Sequence, residues 1–406
     1  MSLLINFSLF RHNRRFTFLY IGQFVSFFGT MIVSVALPYQ IYTETHSTLM
    51  VGLLSLVQLL PLLVTALIGG VFADRYHRRM LLLISEVVLA LGSLLLAMNA
   101  GLSQPHIWML FLVSAFMSGF TGLHRPALNS MVQQLVDKKD MSTVSALVSL
   151  QGSVCMIAGP AVGGLIIANL GIVATYLADF FSFIISLMAI LALPSLPKPD
   201  SGRDDSTWKS LKEGIRYATS RQELLGTYFV DFMAMIFGMP TALFPALSLQ
   251  FGGAGVLGLL YSTPAVGALL VSFFSGWAAK VKRHGMAISI AAILWGVSII
   301  FFGLSGNFIC ALFFLMLAGA FDGISGMFRM TMWNETIPNQ LRGRLAGIEM
   351  ISYLSGPKLG DTEAGLVAAA FGITFSIVSG GFMCVLGVAV CCYFLPKFWH
   401  YRSEVS

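Results

Sequence analysis

One polar stretch in a strongly apolar part of the chain, SGPKLGDTEAG at residues 355–365, carries three charged side chains. They are Lys358, Asp361 and Glu363. Charged residues are rare at the centre of a bilayer because their transfer there is costly, and those that occur are usually functional. Lys358 and Asp361 are three residues apart, which on a helix makes them neighbours that can pair. The stretch therefore offers either a site for protons or a charged substrate, or a structural ion pair that neutralises itself.

Further charged residues lie inside or near other apolar segments. Asp231 and Asp322 lie deepest, and each either lines a cavity or accepts a hydrogen bond between packed helices. Asp179 lies toward the outer end of its segment, where its side chain could reach the membrane interface. A carboxylate buried in an apolar medium takes up a proton more readily than an exposed one. The candidate proton carriers are therefore Asp231, Asp322, Asp361 and Glu363.

A second set of residues could line a substrate cavity. Arg329 and Lys358 supply positive charge, and Glu349 supplies negative charge. Phe28 and Met235 belong to the aromatic and methionine side chains that would form an apolar wall. Placement in the core or against lipid is the more ordinary explanation for any single one of them. A cavity of this kind would suit a sizeable amphipathic molecule.

The elements that must position these residues are membrane-spanning helices. Hydrophobic residues make up 57% of the chain and charged residues 10%, and the mean hydropathy is +0.83. A soluble protein has about 25% charged residues, so this composition indicates an all-α polytopic membrane protein. A spanning helix needs about 20 mostly apolar residues. Twelve segments meet this need, at 16–42, 49–72, 80–99, 107–128, 145–168, 173–193, 225–249, 256–279, 286–304, 308–330, 346–371 and 373–395.

Basic residues are divided unequally between the two sides of the membrane. With the N-terminus inside, 23 of the 24 Lys and Arg residues belong to the inner side, and the six outer loops contain none. This is the distribution of the positive-inside rule, and it predicts that both termini are cytoplasmic. The net charge of +6 is therefore explained by topology, and we expect no nucleic-acid partner. Lys358 is the one basic residue outside the pattern.

Neither a metal centre nor an enzyme is indicated. The five cysteines lie in predicted spans without metal-ligand spacing, and the seven histidines are scattered. No Ser, His and Asp constellation is evident, and the GxxxxGK[ST] pattern of nucleotide-binding loops is absent. We therefore expect no cofactor, no metal and no catalysis, and energy for transport would come from an ion gradient.

A polar segment divides the chain into two halves of similar length. Residues 194–222 begin rich in proline and end in a predicted amphipathic helix, which can lie on the cytoplasmic membrane surface. Residues 1–193 and 223–406 each contain six predicted spans. The halves repeat weakly, because GPAVGG in the fifth span corresponds to GPKLGD in the eleventh and Arg125 corresponds to Arg329. Two parallel six-helix repeats form the architecture of one large transporter class.

Two motifs concern the way in which helices meet. In GGVFADRYHRR, after the second span, an aspartate precedes basic residues in a short loop, which suits a latch at the cytoplasmic helix ends. Glu86, two turns into the third span, is a candidate member of this latch. Small residues in GPAVGG suit close helix packing. The gate candidates are Gly70, Asp74, Arg75, Arg78, Arg79 and Arg125, and the packing candidates are Gly159, Pro160, Gly163 and Gly164.

At this loop the sequence resembles the major facilitator superfamily, whose second and third helices are joined by a Gly-x-x-x-Asp-Arg-x-x-Arg-Arg pattern. The pattern is filled here, with His77 where a glycine is common. GPAVGG resembles the second half of the Gly-Pro motif of antiporters in this superfamily, with Ala146 and Cys155 where the longer version has glycines. ALPYQIYTETHSTLMVGL and HRPALNSMVQQLV are similar to the branch of siderophore exporters and macrolide-efflux proteins.

The resemblance implies two pseudo-symmetric six-helix bundles in the bacterial inner membrane, with alternating access to a central cavity. It implies a secondary active exporter of a siderophore or similar amphipathic molecule, driven by proton antiport. A multidrug or macrolide efflux pump is the alternative, because a cationic macrolide would suit the surplus of carboxylates. A siderophore importer or a membrane sensor of the same fold are further alternatives. We expect a monomer whose partners are the lipid bilayer, protons and a small-molecule substrate.

Overall fold

The computed structural model describes residues 8–193, 216–338 and 341–403, with the backbone alone at 8, 70–75, 342–344, 346–348 and 350. The helices described from end to end are α1 (Ser8–His12), α2 (Arg14–Thr45), α3 (Thr48–Arg75), α4 (Arg78–Ala100), α5 (Ile107–Leu135), α6 (Met141–Leu191), α7 (Gln222–Phe237), α8 (Phe244–Phe251), α9 (Ala254–Phe273), α10 (His284–Gly303), α11 (Phe308–Thr336), α12 (Arg342–Phe371), α13 (Ile373–Phe394) and α14 (Pro396–Trp399). Residues 216–220 are also helical, and the rest of the amphipathic helix predicted within 194–222 lies outside the described residues.

Distances between Cα atoms group the chain into two units. The first unit consists of residues 1–44, 57–204 and 252–258, and the second consists of residues 45–56, 205–251 and 259–406. The first turns of α3 therefore belong to the second unit, and the first turn of α9 belongs to the first. Each unit is a bundle of long helices.

Ten helices of the described chain are long and apolar enough to cross a membrane. The stretch Lys138–Leu191 counts once among them, although it contains both the fifth and the sixth predicted spans. Helix α12 is not among the ten, since Lys358, Asp361 and Glu363 make it more polar. The predicted spans otherwise lie on these helical stretches, although the helices at 107–135 and 308–336 continue beyond the fourth and tenth predicted spans and the helix at 254–273 ends before the eighth does.

A glycine separates the two spans inside α6. Gly171 has a φ of 84° and a ψ of 174°, so the backbone leaves the helical conformation at this one residue. Glycine adopts a positive φ without the steric cost that a Cβ atom imposes. Gly372 has a φ of 93° and occupies the same kind of position between α12 and α13. Each unit thus contains two long helices that are joined at a single glycine.

The seventh predicted span, 225–249, lies within one stretch that is long and apolar enough to cross a membrane, Gln222–Phe251, and this stretch contains a helix break. Helix α7 ends at Phe237, and a short 3-10 turn at Thr241–Leu243 precedes α8. Pro240 lies in the break, and proline lacks the N–H that a helix interior requires. The indole N–H of Trp295 donates to the carbonyl oxygen of Gly238 at 3.0 Å. This bond satisfies a backbone group that the break would otherwise leave without a partner.

The C-terminal segment packs on the second unit. Helix α14 buries the side chain of Phe398 completely. Gly285 of α10 lies against the Phe398 backbone, where a side chain would clash. Tyr401 and Ser403 donate hydrogen bonds to the Glu335 carboxylate of α11 at 3.0 and 2.6 Å. The end of the described chain is therefore held at the same end of this unit as the last turn of α11.

Candidate functional site

Asp361 on α12 lies at the centre of a group of polar side chains in the second unit. Its Oδ2 accepts a hydrogen bond from the Ser55 hydroxyl of α3 at 2.8 Å, and its Oδ1 accepts one from the Thr241 hydroxyl. The backbone N–H of Ala242 also donates to this carboxylate, and Lys358 attracts it electrostatically. The Lys358–Asp361 neighbourhood predicted from spacing is thus part of a larger set, the Asp361 group of Ser55, Thr241, Lys358 and Asp361.

Two glycines allow α3 and α12 to approach closely enough for these contacts. A Cβ atom at Gly52 would lie 2.9 Å from the carbonyl oxygen of Asp361, and one at Gly365 would lie 2.6 Å from that of Thr48. Thr362 donates to the carbonyl oxygen of Gly52 at 3.2 Å, and Thr48 donates to that of Gly365 at 3.2 Å. Small residues of this kind let helix backbones meet in a membrane. Here they bring Ser55 within reach of the buried carboxylate.

The break between α7 and α8 supplies the other donor of the Asp361 group. Thr241 is the first residue of the 3-10 turn after the break. Its carbonyl oxygen accepts a hydrogen bond from the Tyr261 hydroxyl of α9 at 3.0 Å. An irregular backbone is tolerated at membrane depth where protein groups satisfy it. The Gly-Pro interruption of α7 therefore positions a hydroxyl that a continuous helix would not present in this way.

Arg329 of α11 is the centre of a second set in the same unit. Its Nη1 forms an ion pair with Oδ1 of Asp231 on α7, and its Nη2 lies 3.9 Å from Oδ1 of Asp322. Glu349 of α12 also interacts electrostatically with the guanidinium. We call these four residues the Arg329 group. Four residues predicted separately as proton or substrate candidates are thereby brought together.

The two aspartates of the Arg329 group differ in exposure. The side chains of Arg329 and Asp231 are 11% and 9% exposed, whereas that of Asp322 is 41% exposed. The arginine keeps its charge at any physiological pH. Its pairing with Asp231 leaves the negative charge of Asp322 only loosely compensated. Asp322 is therefore the more exposed of the two aspartates that lie beside the guanidinium.

Other candidates lie outside these two groups. Glu363 is half-buried on α12, five residues after Lys358. Met235 is buried on α7 and packs against Gly356, where an added Cβ atom would lie 2.9 Å from the methionine Cβ. Phe28 is half-buried on α2 in the first unit. Helix α12 continues through its proline, so the glycines of SGPKLG provide close packing against α7 instead of loosening the helix.

The first unit contains a buried hydrogen-bonded set that sequence reasoning missed. Oε1 of Glu86 on α4 accepts hydrogen bonds from Gln23 Nε2 at 2.7 Å and from the Ser186 hydroxyl at 2.8 Å. His124 Nε2 of α5 lies 3.0 Å from the same oxygen. Glu86 is therefore part of the helix interior and not of the predicted latch. The available signal was that Glu86 and His124 each interrupt an apolar helix, but nothing in the sequence paired them.

Asp179 is also buried in the first unit, which overturns the expectation that it reaches the membrane interface. It is 1% exposed. Its Oδ2 accepts a hydrogen bond of 2.5 Å from the Ser93 hydroxyl of α4, and its backbone carbonyl accepts one from Ser182 at 2.7 Å. Gly29 of α2 lies against this pair, where an added Cβ atom would be 2.8 Å from Oδ1 of Asp179. Asp179 thus joins α4 and α6.

Of the predicted latch, the structure describes the side chains of Arg78, Arg79 and Arg125. Arg78 donates to the carbonyl oxygen of Ser130 at 3.0 Å, and Arg79 donates to those of Ile190 and Leu191 at 3.2 and 2.8 Å. These contacts are with backbone carbonyls at or near helix C-terminal ends, which favour positive charge. Arg125 is exposed. At Gly70, Asp74 and Arg75 the structure describes the backbone alone.

The GPAVGG motif lies at a tight contact within the first unit. A Cβ atom at Gly163 would lie 2.8 Å from the carbonyl oxygen of Ile32 on α2. One at Gly164 would lie 2.7 Å from the backbone nitrogen of Gly258 on α9, and the carbonyl of Pro160 also lies against Gly258. Gly159 packs against Met31. Helix α6 therefore uses this motif to meet α2 and the first turn of α9.

Among the residues that the structure describes, no three His, Cys, Asp or Glu side chains are arranged to hold a metal ion. The five cysteines are free thiols, and three of them are buried in the helical bundles. These residues are Cys155, Cys384 and Cys391.

A family model described as the Major Facilitator Superfamily matches residues 19–356, which is most of the chain. The chain belongs to the Major Facilitator Superfamily. Proteins of this superfamily are membrane transporters built from repeated helical bundles. The chain is accordingly a multi-pass transporter of the bacterial inner membrane that handles a small-molecule substrate.

Relatives within the Major Facilitator Superfamily include proteins named enterobactin exporter EntS. The chain is 28% identical over 395 residues to that of Shigella boydii serotype 18, and the match covers 95% of this chain and 93% of the relative. It is 28% identical over 410 residues to that of Escherichia coli O9:H4 (strain HS), with 99% and 97% covered. The likeness thus extends over both units.

Solved structures of the Major Facilitator Superfamily share the fold. A POT family transporter in complex with 5-aminolevulinic acid matches with a TM-score of 0.76 at 14% identity, covering 95% of this chain and 97% of that one. The nucleoside transporter NupG matches with a TM-score of 0.73 at 14% identity, covering 95% and 99%. At these identities the likeness concerns the fold alone.

Proposed function

We propose that the chain is a proton-coupled exporter of a siderophore or a similar amphipathic molecule and that it works by alternating access. The observation that carries the proposal is the Arg329 group, in which a buried ion pair lies beside the half-exposed carboxylate of Asp322. The relatives named enterobactin exporter support the direction and the class of substrate. In the proposed topology, twelve spans form two pseudo-symmetric bundles, residues 1–193 and 223–406, with both termini in the cytoplasm.

The proton acts at Asp322 in this proposal. When ionised, Asp322 can accept hydrogen bonds from a substrate, and its carboxylate oxygens have no proton to donate. When protonated, it loses the negative charge that makes those bonds strong. A proton and a substrate therefore compete for one group, which is the requirement for antiport. The Arg329–Asp231 ion pair keeps α7 and α11 together in both states.

The substrate chemistry follows from the same group. Phenolic hydroxyls have a pKa of about 10, so a catechol keeps most of its protons at neutral pH and can donate them to a carboxylate. Arg329 offers donors to any oxygen of the same ligand that has lost its proton. A siderophore with catechol groups would use both. Lys358, Glu349, Met235 and Phe28 remain substrate candidates, and Asp231, Asp361 and Glu363 remain candidates for further proton steps.

Efflux of a cationic drug such as a macrolide is the second candidate function. The Arg329 group favours it to the extent that three carboxylates, Asp231, Asp322 and Glu349, face one guanidinium. A cation would bind Asp322 directly and would compete with the proton in the same way. The two functions differ in the role of Arg329, which would attract a siderophore oxygen but repel a cationic drug.

Everted membrane vesicles provide the test. We expect a labelled catecholate siderophore to accumulate in the vesicles when a proton gradient is imposed with the acidic side inside. Dissipating the gradient should abolish this accumulation. Asp322→Asn, which keeps the shape of the side chain but cannot ionise, should reduce gradient-driven accumulation at least about tenfold. Asp137→Asn is the matched control, because that aspartate is 78% exposed at the protein surface.

Transport of the siderophore that is independent of the proton gradient would overturn the antiport proposal. Accumulation of a labelled macrolide, without competition from the siderophore, would replace it with the drug-efflux function. An Asp322→Asn variant that transports like the wild type would remove Asp322 from the coupling step. Asp231, Asp361 and Glu363 would then be tested by the same substitution to the amide.

A further inference from the structure

A proton-binding site can be recognised in the first unit, away from the Arg329 and Asp361 groups. Glu86 is 0% exposed, and its Oε1 faces three donors on three other helices: Gln23 of α2, His124 of α5 and Ser186 of α6. Three donors on one oxygen indicate that this oxygen is an acceptor. His124 therefore presents Nε2–H to Glu86, since a histidine nitrogen that faces an acceptor carries the proton.

The other carboxylate oxygen of Glu86 is distinctive. Oε2 is buried and has no hydrogen-bond partner in the described part of the chain. A buried carboxylate normally has its oxygens satisfied, because an unpartnered charged oxygen in an apolar interior is unfavourable. A carboxyl that holds a proton part of the time meets this condition, since protonation removes the charge. The geometry thus fits a group that alternates between two protonation states.

The other titratable groups near Glu86 are few. Helix α2 presents the neutral Gln23, and α6 presents the neutral Ser186 together with Asp179, which interacts electrostatically with Glu86. Helix α5 presents His124, whose neighbour Arg125 is exposed. Among the described side chains that contact Glu86, His124 is the basic one. Its side chain keeps 12% exposure, whereas that of Glu86 keeps none.

We propose that Glu86 and His124 form a proton-binding site in which one proton is shared between Nε2 and Oε1, enters through the partly exposed imidazole, and is taken up and released during transport. Its part in transport rests on the proton coupling proposed above, whereas the binding of the proton does not. The proton is the only species that moves. It arrives from water at His124 and leaves to water by the same ring.

Charge explains how this proton would affect the helices. With the shared proton, the pair is neutral overall, either as imidazolium and carboxylate or as imidazole and carboxylic acid. Without it, Glu86 carries an uncompensated charge in an apolar interior beside Asp179, which is strongly unfavourable. Release of the proton therefore favours an arrangement of α2, α4, α5 and α6 in which the carboxylate reaches water. Uptake restores the packing seen in this structure.

The two halves of the chain support a common location for such groups. Gln23 is the tenth residue of α2, and Asp231 is the tenth residue of α7. Gln23 contacts Glu86 on its own unit's fourth helix, and Asp231 contacts Arg329, the counterpart of Arg125 that follows His124. The first predicted span of each half thus carries a side chain that contacts a buried charged group, Glu86 in one half and Arg329 in the other.

His124→Gln is the decisive variant. The glutamine amide can still donate a hydrogen bond to Oε1 of Glu86, but it cannot bind a proton. The purified full-length protein in lipid is compared between acidic and alkaline buffer by infrared difference spectroscopy. We expect the wild type to show coupled changes of a carboxyl band and an imidazole band. Both bands should lose part of their amplitude together in His124→Gln and in Glu86→Gln, whereas the carboxyl band should be unchanged in His12→Gln, which removes an exposed histidine.

The transport readout uses the same variants in vesicles. We expect His124→Gln to slow gradient-driven efflux at least about tenfold and to change its dependence on pH, while its melting temperature stays near that of the wild type. Identical infrared changes in wild type and His124→Gln would overturn the proton site. Unchanged transport in His124→Gln would overturn its part in the cycle. If wild-type transport ignores the gradient, the proposed function fails, and the infrared result still decides whether the proton site exists.

Discussion

At the scale of single residues, the chemistry of the second unit depends on how Arg329 is shared. One guanidinium nitrogen is paired with the buried Asp231, and the other lies 3.9 Å from the more exposed Asp322. The buried pair costs desolvation energy that its attraction only partly offsets, so it is weak evidence for a stabilising role. Its effect is to hold one charged group in a fixed place, next to a carboxylate that can exchange its partner.

Removing Arg329, the partner of Asp231, tests whether the two side chains form a buried ion pair. Arg329→Met leaves a carboxylate buried without a partner, and we expect the free energy of unfolding to fall by about 3–5 kcal/mol. Arg329→Met combined with Asp231→Asn should recover most of that loss, because the buried charge of Asp231 is then removed together with that of its partner. Thermal unfolding in detergent measures both. Equal melting temperatures for the single and the double variant would contradict the buried ion pair.

At the scale of helices, irregularities position the functional groups. The break after α7 brings Thr241 to Asp361, and the glycines of α3 and α12 bring Ser55 to the same carboxylate. In the first case the helix is interrupted, and in the second a glycine stands where a residue with a side chain would be usual. The polar groups thus released are satisfied within the protein, as membrane depth requires.

A pair of glycine substitutions separates close packing from helix propensity. Gly52→Ala would place a Cβ atom 2.9 Å from the Asp361 carbonyl oxygen, so we expect a loss of about 1–3 kcal/mol from overpacking and weaker transport. Gly152→Ala on α6 meets nothing within 4 Å and should be neutral or stabilise the helix by about 0.5–1 kcal/mol. Melting temperatures of both variants check this. A stable, active Gly52→Ala protein would show that α3 and α12 need not approach so closely.

At the scale of the whole molecule, charge and hydropathy describe the relation to the membrane. Lys358 is the one basic residue of the 24 that lies away from the predicted inner side. It lies in the Asp361 group, beside the carboxylate that attracts it. The exception to the topology pattern therefore coincides with one of the polar sets inside the second unit.

The predicted orientation is open to a labelling test in intact cells. In a variant whose five cysteines are replaced, Ser103→Cys lies in an outer loop of the proposed topology, and Lys139→Cys lies in an inner one. We expect a membrane-impermeant maleimide to label position 103 in intact cells and position 139 only after the membrane is opened. Both positions are exposed, so access to the side chain is the same in each. The opposite pattern would invert the orientation proposed for both termini.

Much of the helical architecture could be predicted from the chain alone. A run of about 20 apolar residues has few alternatives to a spanning helix, since a bilayer leaves backbone groups no water to bind. Hydropathy located the span at 225–249 but did not register that Gly238 and Pro240 interrupt the helix within it. Hydropathy also could not show that Glu86 contacts Gln23, His124 and Ser186, because these residues come from three other helices.

Composition, charge distribution and the loop motif by themselves determined the class of protein, its approximate helices and the residues whose burial would be costly. The tertiary structure alone decided which of those residues meet. A segment that is apolar on every side has no polar face from which the rotation of its helix about its axis could be inferred. The sequence therefore leaves the partners of a buried charge undetermined. The pairing of Arg329 with Asp231, the hydroxyls around Asp361 and the contact between Glu86 and His124 all depend on that rotation.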